Sequence, residues 1–318
     1  MRQLLGAIGR VLVTVGILLL LFVAYQLWGT GIYEARAQSR LQDQFEQQQR
    51  RHAHATATST TTTTTPSTST TATPTTSTVP PPTTAAPVQL PANGDAVAHI
   101  SISKIGLDAY VVEGVDVADL RKGPGHYPGT PLPGQEGNAA IAGHRTTYGA
   151  PFGDLDQLAP GDEMELETVQ GTFQYRVDRD PFAVDPDDRE VLQSQPDPAR
   201  SGSDRATLTL TTCNPKYSAA ERLIITAALV VPSGVTPLPP TPSATPKEVA
   251  VVSGLSGESS SRAPAVLWGA IAVIVGALWW LVFHRHPSWV TWIVGAIPFV
   301  VVLFVFYTFL ERVLPANY

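Results

Sequence analysis

The sequence of 318 residues has a net charge of −6, a hydrophobic fraction of 43% and only 15% charged residues. So few charges are unusual for a wholly soluble protein, and we expect part of the chain to lie in lipid. The single cysteine excludes an internal disulfide framework and a cysteine-based zinc site. Residues 95–232 contain 21 acidic and 11 basic side chains, a local net charge of −10 that would repel nucleic acid.

An uncharged apolar run near the N-terminus, from Val11 to Trp28, is long enough to cross a bilayer as a helix. Arg2 and Arg10 precede it, and the positive-inside rule places them in the cytoplasm. Ala35-Arg36-Ala37 resembles a signal-peptidase site, so a cleaved signal peptide is the alternative. We favour an uncleaved anchor over residues 1–30, because the run exceeds the ~7–15 residues of a signal-peptide core.

Two polar, low-complexity segments frame the middle of the chain. Residues 31–94 comprise a predicted helical stalk, with Leu41 and Phe45 at i, i+4 spacing, and then a Thr/Ser/Pro-rich tract predicted to be disordered. Residues 232–264 form a second linker rich in Pro and Ser. Residues 95–231 lie between the two linkers and are numerous enough to form one hydrophobic core, so we assign the folded domain to them.

Two further apolar runs predict a transmembrane hairpin over residues 265–310, followed by a tail over residues 311–318. The short link between the runs contains Arg285 and should face the cytoplasm by the positive-inside rule. The second predicted helix therefore runs inward and the third runs outward. Both ends of the chain then place residues 95–231 outside the membrane.

Short runs of β-type sequence dominate residues 95–231 and predict a mostly β barrel or sandwich. The runs are Ala98–Ser103, Ala109–Glu113, Asn138–Gly143, Asp162–Val169, Thr172–Asp178, Ala206–Thr212 and Leu223–Val231. Helical signals are few and short, at Val117–Arg121, Asp154–Leu158 and Asp187–Gln193.

Three polar side chains at predicted strand ends are candidate catalytic residues. Cys213 ends a strand-like run before a turn, a placement that suits a nucleophile. A buried packing cysteine is the alternative, but an unpaired thiol outside the membrane risks oxidation and needs a function. His144 could protonate a leaving amine near neutral pH, and Arg222 could stabilise an oxyanion. His126 is a second candidate histidine in a predicted loop.

These residues resemble the sortases, and most of all the class E sortases of high-GC Gram-positive bacteria. The resemblance spans roughly Ala96 to Val231. It is carried by Gly143-His144-Arg145, by TLTTCNPKYSAAER from Thr209 to Arg222 and by GHYPGT from Gly125 to Thr130. It implies an eight-stranded β-barrel with short helices that acts as a membrane-anchored cysteine transpeptidase.

The resemblance also implies a role for each candidate residue. Cys213 would attack the Thr–Gly carbonyl of a C-terminal LAxTG- or LPxTG-like sorting signal on a secreted protein, forming a thioacyl-enzyme. His144 would protonate the leaving amine and Arg222 would hold the oxyanion. The acceptor would be a peptidoglycan-precursor amine of the lipid II type. Tyr127 is implicated in selecting the signal and Thr212 in positioning substrate, with a turn role and strand packing as the respective alternatives.

We expect no cofactor and no metal site. Two other functional classes fit parts of the sequence. An L,D-transpeptidase is also an extracellular Cys/His acyl transferase, but its Ser-His-x-Gly-Cys type cluster is absent before Cys213. A non-enzymatic wall-spanning stalk or adhesion protein would account for the Thr-rich tract alone. We therefore predict a plasma-membrane enzyme that contacts membrane lipid and whose catalytic domain faces the cell wall.

Overall fold

The computed structural model describes residues 13–14, 16–60, 91–188, 190–192, 206–230, 238–239, 262–283 and 289–313. The strands within these ranges are β1 Ala96–Ile102, β2 Leu107–Glu113, β3 Gly125–His126, β4 Gly137–Ala142, β5 Glu163–Thr168, β6 Gly171–Val177, β7 Phe182–Val184, β8 Ala206–Asn214 and β9 Glu221–Leu229. The helices are α1 Thr30–Thr60, α2 Val117–Leu120, α3 Arg262–Phe283 and α4 Trp289–Val313, and single 3-10 turns occupy Ser103–Ile105, Leu155–Gln157 and Glu190–Leu192.

Eight strands close into a barrel in the order β6-β5-β1-β2-β3-β4-β8-β9, with β6 paired to β9. The closing pair is antiparallel and places Val177 opposite Ala227. The ninth strand, β7, pairs with the other end of β9, so that Val184 lies opposite Arg222. Strands β6 and β7 thus share one side of β9 and count as one position in the barrel. The predicted eight-stranded barrel is confirmed, and the sandwich alternative is wrong because the sheet closes on itself.

The barrel interior is filled by aliphatic side chains that alternate along the strands, as in β1, where Ile100 and Ile102 are fully buried. Each such side chain stabilises the fold by roughly 1.5–3 kcal/mol on burial. Strand β8 departs from this alternation, because both of its faces are covered. Its outward threonines are satisfied by hydrogen bonds, with Thr209 Oγ1 donating to Asn138 Oδ1 at 2.9 Å. A buried strand can therefore carry hydroxyls without leaving polar groups unpaired.

Two short strands, β3 and β7, fall where the sequence predicted none. Strand β3 has only two residues, yet it bridges β2 in parallel and β4 in antiparallel fashion. A Cβ at Gly125 would lie 2.1 Å from the carbonyl oxygen of Gly114, so only glycine allows the chains to approach this closely. So short a segment offers no periodicity from which a strand could be predicted.

Helix α1 lies against the barrel, whereas the sequence predicted a stalk standing apart from it. Leu41 and Phe45 are buried in one cluster with Ala96 and Val112. The Gln38 side chain reaches the same surface and hydrogen-bonds both the N–H and the carbonyl of Tyr110, at 2.7 and 3.0 Å. The helix also continues to Thr60, into the first residues of the tract predicted to be disordered. The rest of that tract, residues 61–90, lies outside the described residues.

Within the part of the chain that the structure describes, one helix is long and apolar enough to cross a membrane, at Arg262–Val282. A shorter apolar segment, Ala296–Glu311, belongs to α4. The predicted N-terminal anchor lies partly outside the described residues, but its helical part packs on α4. The Tyr307 hydroxyl donates to the Leu18 carbonyl at 2.7 Å, and the Phe22 ring meets the Tyr307 ring edge-on at 5.1 Å. The number of spans stays a prediction.

Candidate active site

Strand register brings the three predicted catalytic residues into one row at one end of the barrel, with Cys213 on β8, Arg222 on β9 and His144 two residues after the end of β4. Cys213 lies directly opposite Arg222 in the antiparallel β8–β9 pair, so their side chains share a face. In the parallel β4–β8 pair Ala142 lies beside Thr211. Beyond that point the chains stay side by side, because the Gly143 N–H donates to the Thr211 carbonyl at 3.0 Å. Continued for two residues past Ala142 and Thr211, this register brings His144 level with Cys213.

All three side chains of the row are buried. Cys213 is 0%, His144 1% and Arg222 5% exposed. The strand-end position of Cys213 suited a nucleophile, but the structure covers its sulfur with an apolar cluster that includes Leu120 and Leu192. Packing of these side chains over the sulfur removes apolar surface from water. A substrate must therefore displace part of this cover to reach Cys213.

His144 is held in a pocket in which the neutral imidazole is favoured. Neither ring nitrogen has a hydrogen-bond partner among the described residues. The ring packs against Tyr148, with centroids 5.0 Å apart. Burial, with a smaller contribution from the charge of Arg121, lowers the pKa of His144 to about 3. At neutral pH the His144 ring is accordingly an uncharged imidazole.

This lowered pKa predicts a specific loss of stability in acid. Unfolded His144 binds a proton near pH 6.5 and folded His144 only near pH 3, so between these values protons favour unfolding. Relative to His144→Gln, the free energy of unfolding of the native protein should fall by about 3 kcal/mol from pH 7 to pH 4. Urea unfolding of both full-length proteins in detergent measures the difference, and parallel pH curves would contradict the prediction.

The Arg222 guanidinium is anchored by backbone carbonyls beside the sulfur. Its Nη1 donates to the carbonyls of Ala219 and Glu221 at 3.2 and 3.1 Å. Its Nε is buried and has no hydrogen-bond partner in the described part of the chain. The Glu221 carboxylate, the ion-pair partner that a purely structural role would offer, accepts from Asn214 Nδ2 at 2.7 Å instead. Arg222 thus retains a donor that a substrate oxygen could use.

The two predicted substrate-binding residues lie beside this row. Tyr127 is buried in the same apolar cluster as Cys213, and its hydroxyl is 2.9 Å from Thr211 Oγ1. Burial raises the pKa of Tyr127, so its hydroxyl stays protonated and able to donate. Thr212 is fully buried, and its Oγ1 donates to the Gly143 carbonyl at 2.7 Å. That bond ties the strand of the cysteine to the residue before His144.

Two other polar residues near the site have roles that the sequence reasoning did not assign. Arg145 Nη1 donates to the Cys213 carbonyl at 3.1 Å and Nη2 pairs with Asp156 at 3.1 Å, which fixes the backbone of the nucleophile. In the sequence, Arg145 could have been singled out by its position directly after His144 in the motif Gly143-His144-Arg145. His126 is held by Glu113, whose carboxylate lies 2.8 Å from Nδ1. Burial opposes its charged form, but Glu113 raises the pKa of His126 overall, as in a structural ion pair.

Among the residues that the structure describes, no group of three or more His, Cys, Asp and Glu side chains could hold a metal ion. The site brings a thiol, an imidazole and a guanidinium to one end of the barrel. This combination can supply a nucleophile, a proton carrier and an oxyanion donor for acyl transfer.

Comparison with known proteins agrees with this geometry. A family model described as the sortase domain matches residues 100–230. The solved structure of sortase E from Streptomyces avermitilis is 39% identical, and the match covers 91% of that chain and 44% of this one at a TM-score of 0.39. The chain belongs to the sortase family. Cys213, His144 and Arg222 all fall inside its sortase domain.

Two further relatives are sortases, and the first of them is of class E. Sortase SrtE1 of Streptomyces coelicolor is 29% identical over 236 residues, which are 70% of this chain and 56% of that protein. Sortase D of Bacillus subtilis is 34% identical over 125 residues, 39% of this chain and 58% of that protein. This sortase-family chain thus spans between half and two thirds of the length of both relatives. The predicted resemblance to class E sortases is confirmed.

Proposed function

We propose that the chain is a membrane-anchored cysteine transpeptidase that cleaves a C-terminal sorting signal and transfers the cleaved protein to an amine. The observation that carries this proposal is the row in which Cys213 and Arg222 are paired on β8 and β9 and His144 follows the end of β4 beside them. Membership of the sortase family supports the same reaction class. The Thr-rich tract alone suggested an adhesion protein. An adhesion protein does not require a thiol, an imidazole and a guanidinium at one end of its fold.

In the proposed reaction, His144 first takes the proton of the Cys213 thiol, and the thiolate attacks the carbonyl carbon between Thr and Gly of the signal. Arg222 donates to the carbonyl oxygen as negative charge develops on it. The C–N bond then breaks, His144 returns the proton to the departing glycine amine, and a thioester remains on Cys213. An incoming amine attacks the thioester, loses a proton to His144 and regenerates the thiol.

The substrate class proposed here is an LAxTG- or LPxTG-like peptide, and the acceptor class is a peptidoglycan-precursor amine of the lipid II type. Tyr127 is proposed to contact the residue that varies between the two signals, because its protonated hydroxyl lies in the cluster that covers the sulfur. Thr212 is proposed to act on the substrate only through the backbone that it fixes, since its hydroxyl is bonded to Gly143.

Membrane anchorage is proposed from both ends of the chain, with residues 232–264 as the linker that returns to the membrane. The helical segments outside the barrel expose large apolar side chains, among them Leu20 at 71%, Val266 at 74% and Val273 at 72%. Surfaces of this kind are unfavourable in water and suit contact with lipid. The catalytic domain is proposed to face the cell wall, in agreement with the charge pattern around the predicted spans.

Capturing the acyl-enzyme tests the proposed reaction. The full-length protein, incubated with an LAxTG peptide and no amine, should gain on Cys213 the mass of the peptide up to its Thr. Adding triglycine should release a peptide–triglycine product and restore the original protein mass. A peptide with its Thr and Gly exchanged is the matched control and should leave no adduct. An unmodified protein after incubation with the LAxTG peptide would contradict the proposal.

A further inference from the structure

Glu311 is a buried carboxylate in α4, two residues before that helix ends, and it contacts the barrel. Its side chain is only 2% exposed. One carboxylate oxygen, Oε1, accepts hydrogen bonds from Arg121 Nη2, at 3.0 Å, and from the Tyr148 hydroxyl. A buried carboxylate is unfavourable unless it is paired and hydrogen-bonded. These contacts therefore determine how the end of the predicted hairpin meets the barrel.

Tyr148 connects this carboxylate to the candidate active site. Its ring packs on the His144 imidazole with centroids 5.0 Å apart and planes 36° apart. No hydrogen bond from the described residues orients the imidazole. The orientation of the ring thus depends on packing, and Tyr148 supplies one aromatic wall of that packing.

The backbone around Tyr148 needs outside contacts to keep its shape. Tyr148 and Ala150 have φ values of 51° and 47°, in the left-handed region that costs a residue with a side chain roughly 1–2 kcal/mol. The Tyr148 N–H donates to Thr30 Oγ1 of α1 at 3.2 Å, and its hydroxyl donates to Glu311 of α4. Both contacts come from helices outside the barrel, so the loop that follows His144 is held from the membrane side.

Arg121 gives Glu311 a second route to His144. Its guanidinium lies 4.9 Å from the Tyr33 ring centroid and 5.3 Å from that of Tyr148. Its positive charge opposes formation of the His144 imidazolium. The Glu311 carboxylate pairs with this charge and reduces its effect on the ring. Without Glu311, the Arg121 guanidinium would have no carboxylate partner among the described residues.

We propose that Glu311 is a positioning residue for the transpeptidase reaction, acting on His144 through Tyr148 and Arg121. This inference rests on the proposed function, because it concerns the residue that carries the proton there. It gives helix α4 a role beyond tethering, since α4 extends past the predicted hairpin end at residue 310 and supplies a side chain on which the geometry of the site depends.

Steady-state kinetics of the full-length protein in lipid nanodiscs tests the role of Glu311. Glu311→Gln keeps the size of the side chain and removes its charge, and kcat should fall by about 10- to 100-fold while KM changes by less than about threefold. Glu311→Asp keeps the charge and should recover part of kcat. Tyr148→Phe should add little to the loss in Glu311→Gln, because both changes weaken the same contact between Glu311 and Tyr148.

Thr308→Val is the matched control, because the one hydrogen bond of the Thr308 hydroxyl within the described part of the chain goes to the Val305 carbonyl of its own helix, at 2.7 Å. It should leave kcat within about twofold of the native value. If Thr308→Val loses as much activity as Glu311→Gln, or if Glu311→Gln keeps the native kcat, the positioning role is wrong.

A second measurement is independent of turnover. The ring current of Tyr148 should shift the NMR resonance of the His144 Cε1–H group, which is identified by its absence in His144→Gln. Glu311→Gln should move this resonance and Thr308→Val should not. If the native protein fails to turn over peptide, the proposed function fails, and this resonance alone decides the positioning role. An unmoved resonance in Glu311→Gln then overturns it.

Discussion

Replacing Cys213 by alanine should reduce transpeptidation to the uncatalysed background, a loss on the order of 10⁶-fold in kcat. The thiol is the strongest nucleophile in the row that His144, Cys213 and Arg222 form, and without it no thioester can carry the acyl group. Cys213→Ser should be almost as inactive, because a hydroxyl is much harder to ionise than a thiol. A quenched fluorescent LAxTG peptide with triglycine as the acceptor measures the rates.

The same substitution must be checked for folding, because Cys213 is fully buried in an apolar cluster. Losing the sulfur leaves a small void that should lower the free energy of unfolding by roughly 1–2 kcal/mol. Thr207→Ala, at the other end of β8, removes a hydroxyl that donates to Asn138 Oδ1 at 3.1 Å and is a matched control for strand stability. It should keep its activity. A native rate in Cys213→Ala would mean that the reaction does not pass through the thiol.

The strands could be predicted because burial of one face forces alternation along the sequence. Strand β5, observed at Glu163–Thr168, was expected at Asp162–Val169, and its Met164 and Leu166 point inward as the alternation requires. The short helix at Val117–Leu120 was likewise expected within one residue. Local chemistry determines such elements, so a single sequence is sufficient to find them.

The pairing of β4 with β8 could not be read from local pattern. The two strands are parallel and more than sixty residues apart in the chain, and nothing in either run specifies the other as its neighbour. The expectation that His144 and Cys213 meet came from the resemblance to the sortases, not from periodicity. The cover over the sulfur was missed for the same reason, since Leu120 and Leu192 lie on separate connections.

Contacts between the barrel and the helices outside it could not be predicted from the sequence either. Leu41 and Phe45 were noticed at helical spacing, but the surface that buries them lies on β1 and β2. Glu311 was visible as a charge that ends an apolar run, a common feature of membrane helices. Its partner Arg121 is 190 residues earlier in the chain, so the pairing follows from the closed fold and not from any motif.

Arg222→Lys should lower kcat by about 10²- to 10³-fold with little change in KM, because it removes a donor aimed at charge that develops only in the transition state. In the native protein, Arg222 Nη1 donates hydrogen bonds to the carbonyls of Ala219 and Glu221. The Nε–H of Arg222 is buried and has no hydrogen-bond partner among the described residues. A lysine ammonium keeps the charge but lacks the planar fork, so it cannot hold both carbonyls and reach the oxyanion in one geometry.

Arg176→Lys is the control for replacing an arginine in this barrel, since Arg176 forms an exposed ion pair with Glu163 at 2.7 Å. It should change kcat by less than about twofold, as expected for a surface pair. Single-turnover acylation separates the possible roles of Arg222. Slower formation of the thioester on Cys213 at saturating peptide is the expected result, because the oxyanion forms in that step. If Arg222→Lys instead raises KM and leaves the acylation rate unchanged, Arg222 binds substrate and the oxyanion must be held by other donors.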